Sequence, residues 1–355
     1  MSALTLPPTL ASQLQASRWR VIVTGASGWL GRAALELLAH GLGPDWHGRV
    51  EAFGSRPRRL TLRDGSEIEQ RPLSELGALP PRPSLLLHFA CLTREKVADM
   101  SPDDYVGTNR EITRAVLDAA THAGIERAFV TSSGAVHAAL EAPMSPDPTL
   151  LYGRLKLEDE AMFAAFANAV PQRRALVVRL FNLSGPYINK PYALSSFIEQ
   201  ATAGRIGVQA CGPVIRSYTG VANLMAVGLG HLLCDEAEPF LCIETAGEHE
   251  VEMAALAEAV RAVVNPSATI ARAPADGRPA DRYVGDASAY RALMQQHGVT
   301  EDSLARQIAD TADYLREFDL SGSRRRDAPC GDPAVTAEPL RGPAPRHPGS
   351  RRDFR

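Results

Sequence analysis

Short unbroken apolar runs alternate with apolar stripes at helical spacing along the first half of the chain. The run Arg20-Val-Ile-Val between turn residues predicts a buried strand over 19–24, and Leu35, Leu37 and Leu38 mark one side of a helix over 32–40. Further strands are predicted at 48–53, 85–90, 128–131 and 175–181, with helices at 108–123 and 152–169. The stretch over 85–90 lacks the alternation of a strand wetted on one face, and parallel sheets bury such strands on both faces. Strand alternating with helix means βαβ units and a parallel sheet, so residues 1–182 are expected to form mainly a doubly wound α/β nucleotide-binding domain.

After Asn182 the segments shorten, and Pro and Gly come between them. Helices are predicted at 195–203, 221–233 and 251–264, and extended segments at 207–210 and 240–244. This part, 183–320, reads mainly as a smaller C-terminal α/β substrate lobe closing over the carboxyl edge of the sheet. From 321 to 355 Arg, Pro, Gly and Ala follow one another without periodicity. Such a stretch buries too little apolar surface to offset its ordering entropy and is expected to be a disordered tail.

Composition narrows the function classes. The chain is 45% hydrophobic and 22% charged, which suits a globular protein with a sizeable core. Its formal net charge of -3 lacks the basic excess of a nucleic-acid binder. No apolar run reaches the length of a membrane span, and residues 1–15 carry no basic stretch ahead of an apolar one. Five scattered cysteines without CxxC spacing point to reduced thiols in the cytoplasm, with neither a disulfide framework nor a metal site.

The candidate chemistry begins at Thr24-Gly25-Ala26-Ser27-Gly28-Trp29-Leu30-Gly31, between the first strand and the first helix. Small residues there permit a tight turn, backbone approach to a pyrophosphate, and close packing of helix on strand. The helix N-terminus offers unpaired N–H groups and partial positive charge to phosphates. An acid at the end of the second strand would take the ribose hydroxyls of NAD. That strand instead ends Gly54-Ser55-Arg56, with Arg58 and Arg59 close by, and a guanidinium there suits a 2′-phosphate. NADP is therefore favoured over NAD, the alternative being a solvated basic loop.

Tyr152 and Lys156 stand four apart at the start of a helix, on one face. A phenol with an ordinary pKa of about 10 needs a nearby cation to move protons near neutral pH, and the Lys156 ammonium supplies one. Thr131-Ser132-Ser133 ends the preceding strand, where a hydroxyl can hold a substrate oxygen against the tyrosine.

The stretch 24–31 resembles the glycine turn of the extended short-chain dehydrogenase/reductase family, the epimerases, dehydratases and 4-ketoreductases of nucleotide sugars. Other stretches resemble it in order: His88-Phe89-Ala90; Asn109; Tyr152-Gly-Arg-Leu-Lys156; Arg179-Leu-Phe181-Asn182-Leu-Ser-Gly-Pro186; and Arg216-Ser-Tyr218. The resemblance implies a Rossmann-type fold in which Phe89, Ala90, Asn109 and Phe181 border the cofactor. It makes Ser133 the catalytic hydroxyl beside Tyr152 and Lys156, with Ser132 supporting. It implies that Asn182 and Arg216 hold the substrate's diphosphate, with Tyr218 lining the pocket, although Arg216 in a lobe-stabilising ion pair is the alternative. It also implies a homodimer through the helices over 108–123 and 152–169. The family's dehydratases carry an Asp-Glu pair directly after the catalytic hydroxyl, and Gly134-Ala135 stand there instead. Elimination then lacks an acid and base, leaving 4-ketoreduction or 4-epimerisation by hydride transfer. The rival readings are a reductase of a carbonyl compound without a nucleotide, and a non-catalytic NADP-binding regulator. His137 replaces the family's usual tyrosine and is either a packed or substrate-facing side chain or a second acid/base.

Overall fold

Every residue of β1 (Arg20–Thr24) is buried, as in a strand whose sheet carries helices on both faces. The computed structural model describes residues 4–320 except 144, 146, 148, 149, 189–191 and 275. The expected tail, 321–355, lies outside the described residues. In chain order come α1 (Pro8–Ala16), β1, α2 (Trp29–Leu42), β2 (Val50–Gly54), β3 (Arg58–Thr61), β4 (Glu67–Pro72), β5 (Ser84–His88) and α3 (Pro102–Ala123). Then follow β6 (Ile125–Ser133), α4 (Ala135–Glu141), α5 (Leu151–Asn168), β7 (Arg174–Leu180), β8 (Asn182–Ser184) and α6 (Ala193–Thr202). The last part holds β9 (Arg205–Val208), β10 (Val214–Arg216), β11 (Tyr218–Gly220), α7 (Val221–Leu233), β12 (Phe240–Glu244) and β13 (Val251–Glu252). It closes with α8 (Met253–Val264), β14 (Thr269–Arg272), β15 (Asp281–Tyr283), α9 (Ser288–Gln296) and α10 (Leu304–Leu320).

The main sheet runs β12-β7-β6-β5-β1-β2-β4-β3, and only its β3–β4 pair is antiparallel. Alternate residues of β1 enter two separate cores. Val21 and Val23 join Leu35, Leu38 and Leu224 on the α2 and α7 side. Ile22 joins Val116, Phe163 and Phe166 on the α3 and α5 side. This is the doubly wound, Rossmann-type architecture expected, with all parallel strands ending at one edge. The smaller elements form a three-stranded sheet, β13-β10-β15, and two parallel pairs, β11-β8 and β14-β9.

Two placements differ from the sequence reading. The segment 221–244, grouped there with the second lobe, belongs to the main sheet. β12 pairs with β7 from Phe240↔Ala175 to Glu244↔Arg179, and α7 lies so close on β6 that a Cβ at Gly228 would come 2.4 Å from the Phe129 ring. The helix expected over 251–264 begins at Met253, because Val251 and Glu252 are strand β13. The β3–β4 hairpin and helices α1, α9 and α10 are elements the sequence reading did not place. α10 docks through buried Ile308, Ala312 and Leu315, and its Gln307 and Thr311 bond Ser184 Oγ and the Gly185 N–H at 2.6 and 2.9 Å.

The glycine turn is closed by backbone contacts. Gly25 has a φ of +69°, and a Cβ there would lie 2.7 Å from the Phe89 carbonyl carbon; one at Gly31 would lie 2.3 Å from Gly25 O. The Gly31→Ala substitution should therefore cost on the order of 1–3 kcal/mol, since backbone has no rotamer with which to yield. Gly77→Ala, where a Cβ meets open space, should cost nearly nothing. Denaturant midpoints of the two variants check this, and equal midpoints would refute the contact.

Acid should weaken the fold through His231 on α7, which is 3% exposed with its Nε2 unpartnered. Burial, then repulsion from His297, Arg174 and Arg127, pulls its imidazole from 6.5 down to about 4. The unfolded chain takes up that proton first as pH falls. The stability is thus complete above about 6.5 and lost between 6.5 and about 4, on the order of 3 kcal/mol in all. Melting temperature followed over this window should fall less steeply in His231→Leu than in the unsubstituted protein.

Candidate active site

β1, β5, β6 and β7 end at one edge of the sheet, which carries Gly25, Phe89, Ser133 and Phe181. Thr24 Oγ1 lies 2.7 Å from His88 Nδ1, and the Phe89 N–H donates to Thr24 O at 3.2 Å. These bonds hold the Phe89–Ala90 peptide against Gly25. Gly28 begins α2 with no side-chain cap, so the first N–H groups of the helix face the turn free of side-chain competition. Trp29 donates from Nε1 to Pro186 O at 2.7 Å, tying the turn to the segment after β8. Arg32 Nε reaches Ser27 O at 3.3 Å, and Leu30 packs partly buried on the core. The cradle is bare backbone that a Cβ would fill, beside an uncapped helix start, and it fits a dinucleotide pyrophosphate.

Asn109 stands two turns inside α3, not at its start. It accepts from the Leu92 N–H at 2.8 Å and donates to Tyr105 O at 3.0 Å, which fixes the loop after β5. At the end of β2, Gly54 leaves room for Gln70, whose Nε2 donates to Arg56 O at 2.8 Å. Ser55 and Arg56 are exposed.

Ser133 ends β6, and its Oγ accepts from the Ala135 N–H at 3.2 Å. A Cβ at Gly153 would come 2.4 Å from Ala135 O, so the start of α5, with Tyr152, lies directly against the Ser133–Ala135 segment. Lys156 Nζ sits 5.9 Å from the Tyr152 ring centroid. Burial raises the Tyr152 pKa and nearby Cys91 adds to this, while Lys156 pulls it down. Burial also works against the Lys156 ammonium, but Cys91, Tyr152 and Asp159 hold it above the ordinary lysine value.

Strand β15 contributes a residue the sequence reading missed. The Tyr283 hydroxyl lies beside the turn that follows Ser133: a Cβ at Gly134 would come 2.8 Å from it and 2.6 Å from the Phe181 ring. Phe181 packs between Tyr283, at 4.7 Å between centroids, and His137, at 6.1 Å. Nothing marks Tyr283 locally, since only folding brings β15 to β6. Arg216 lies 5.8 Å over the Tyr283 ring and pairs with Asp281 Oδ2 at 2.9 Å. Asn182 Nδ2 donates to Ser217 O at 3.2 Å, and Tyr218 is buried in the larger core.

His137 reaches Glu244 Oε1 at 2.6 Å, Glu244 meets Arg179 at 3.4 Å, and Arg179 forks onto Glu160 at 2.9 and 2.8 Å. Ser132 donates to Glu160 at 2.6 Å. This chain braces the sheet edge under Ser133 and engages His137 as a partner of Glu244. Glu160 was legible only as one more charge on a helix.

A cavity of about 400 Å³ lined by Leu4, Asn223, Asp302 and Arg306 shares no lining residue with this cluster. Among the described residues no group of three or more His, Cys, Asp or Glu could hold a metal ion, and no helix is long and apolar enough to cross a membrane.

The chain is 30% identical over 177 residues to a UDP-glucose 4-epimerase of Azospirillum brasilense, a match covering 47% of this chain and 49% of that one. It thus spans about half the length of that curated relative. Its fold matches an epimerase of Methanothermobacter thermautotrophicus with a TM-score of 0.66, at 17% identity over 89% of this chain and 98% of the other. It matches the protein MoeE5, solved with UDP-glucuronic acid and NAD, with a TM-score of 0.64 at 21% identity over 84% and 99%. The model of the NAD dependent epimerase/dehydratase family matches residues 21–229, the stretch that carries the glycine turn, Ser133, Tyr152 and Lys156. On that match, the chain belongs to the NAD dependent epimerase/dehydratase family.

Proposed function

We propose that this chain is an oxidoreductase of nucleotide-activated sugars, acting by 4-ketoreduction or 4-epimerisation. What supports the reading is that α5, with Tyr152 and buried Lys156 at its start, packs against the Ser133–Ala135 segment at the sheet edge where the glycine turn also lies. When bound, the nicotinamide supplies the exchange of hydride. The chain's own part is proton handling: Ser133 Oγ positions the substrate oxygen, Tyr152 gives or takes its proton, and Lys156 stabilises the phenolate. Elimination is disfavoured because Gly134 and Ala135 stand where the family's dehydratases carry their acid and base.

The nucleotide end rests on Arg216 and Asn182 with the epimerase relatives. A carbonyl substrate without a nucleotide is the second reading, favoured by the pairing of Arg216 with Asp281. A homodimer through α3 and α5 in the cytoplasm is proposed on the family resemblance. The exposed side of α3 presents Arg110, Glu111, Arg114 and Asp118, so such an interface would be charged.

The relatives solved with NAD give no support to an NADP preference; the absence of an acid at the end of β2 and the exposed Arg56 do. If Arg56 meets a 2′-phosphate, Arg56→Ala should weaken NADPH by about 1.5–3 kcal/mol, the worth of a charge-assisted bond, and leave NADH nearly unchanged. Titration of both cofactors checks this, and equal weakening would return Arg56 to the loop surface.

Tyr152→Phe should lower turnover on the order of 10²–10⁴-fold while cofactor affinity survives, because only the phenolic oxygen is lost. The measurement is hydride transfer at the nicotinamide absorbance with a panel of nucleotide sugars. Near-normal turnover in the variant would move the proton transfer to another group, with His137 first in line. Competitive inhibition by free UDP separates the nucleotide-sugar reading from the second one.

A further inference from the structure

Tyr152, Lys156 and Asp159 stand at i, i+4 and i+7 on α5, along one face. Asp159 belongs to no motif of the sequence reading, yet it is tightly held. Its Oδ2 lies 3.2 Å from Lys156 Nζ, and its Oδ1 accepts from Thr113 Oγ1 of α3 at 2.6 Å. The Lys156 side chain is 5% exposed and that of Asp159 13%. A buried ammonium without a partner is costly, and at this depth a carboxylate acts on its neighbours with little screening.

The groups around the pair come from four elements. His88 of β5 is buried with Nε2 unpartnered, and burial pulls its imidazole down to about 4, so it adds no charge near neutrality. The Cys91 thiol, on the loop after β5, acts on both Tyr152 and Lys156. Tyr105 of α3, which Glu95 also influences, spends its hydroxyl on Leu92 O at 3.0 Å. Tyr283 of β15 approaches from the second lobe. Glu160, next to Asp159, is taken up by Ser132 and Arg179. Asp159 is thus the carboxylate that offsets the Lys156 charge.

We propose that Asp159 is a positioning residue that sets how much of the Lys156 charge reaches Tyr152, keeping the phenol protonated and ready to donate. The inference rests on Tyr152 being the proton-transfer group of the proposed function. Asp159 touches Lys156 and not Tyr152, so it acts through the ammonium: removing it should leave that charge uncompensated and let it draw the Tyr152 titration down. The proton would then leave more readily, which favours accepting a proton over giving one.

The test is a phenolate absorbance titration of the protein without substrate or cofactor. The difference between unsubstituted protein and Tyr152→Phe isolates the Tyr152 step. In Asp159→Asn, referred to Asp159→Asn with Tyr152→Phe, that step should fall to a measurably lower pH. Asp159→Ser, a second neutral variant should the amide disturb packing, should move it the same way, and Asp159→Glu should hold it near its original place. Thr113→Val loosens α3 from α5 but keeps the carboxylate, and should cost stability while leaving the step nearly in place. An unmoved step in both neutral variants overturns the proposal, as does an equal movement in Thr113→Val. Because the titration needs no substrate, its failure would concern Asp159 alone, whereas absence of turnover in the unsubstituted protein would count against the functional reading.

Discussion

At the end of β1 the backbone of Gly25 lies against the Phe89–Ala90 peptide, and that of Gly31 lies against Gly25 O, with no volume for a Cβ at either place. Three elements, β1, α2 and β5, are thereby brought as close as backbone can come. The bond from Phe89 N–H to Thr24 O and the contact of Thr24 Oγ1 with His88 Nδ1 lock the same junction from the strand side. The position of the cradle relative to β6 follows from this contact, because β5 and β6 are neighbours in unbroken register from Leu85↔Arg127 to His88↔Val130.

A parallel sheet then does the rest of the gathering. Its strands all end at one edge, so residues far apart in sequence meet there without any long loop having to carry them. Ser132 and Ser133 point to opposite faces, as successive strand residues must. One faces the ion pairs of Glu160, Arg179 and Glu244, and the other faces Tyr283. Glu244 and Arg179 are register partners on β12 and β7, which is why an acidic edge residue can serve His137 and the arginine together. Buried charge in this region is tolerated because each group has a fixed partner.

The main sheet supplies the hydroxyl, the phenol and the ammonium from adjoining strand and helix ends. The small sheet β13-β10-β15 supplies Tyr283 and Arg216. Phe181 joins the two, with its ring touching the Tyr283 side and its N–H donating to Thr245 Oγ1 at 3.1 Å.

The doubly wound fold, the glycine turn and the Tyr152–Lys156 pair were legible in the sequence because each is a local pattern. Continuous apolar runs mark strands buried on both faces, small residues mark a turn that no larger side chain can make, and a spacing of four marks one helix face. The assignment of 221–244 to the main sheet was not legible, since an apolar helix and a short strand read alike in either lobe. Neither was the approach of Tyr283 to the turn after Ser133, nor the grip of Thr113 on Asp159, because these contacts join residues far apart in sequence. Local patterning specifies which elements form and which face each must bury. Which polar side chains then meet depends on strand order, register and the docking of one lobe on the other, and those are decided by packing the whole chain at once.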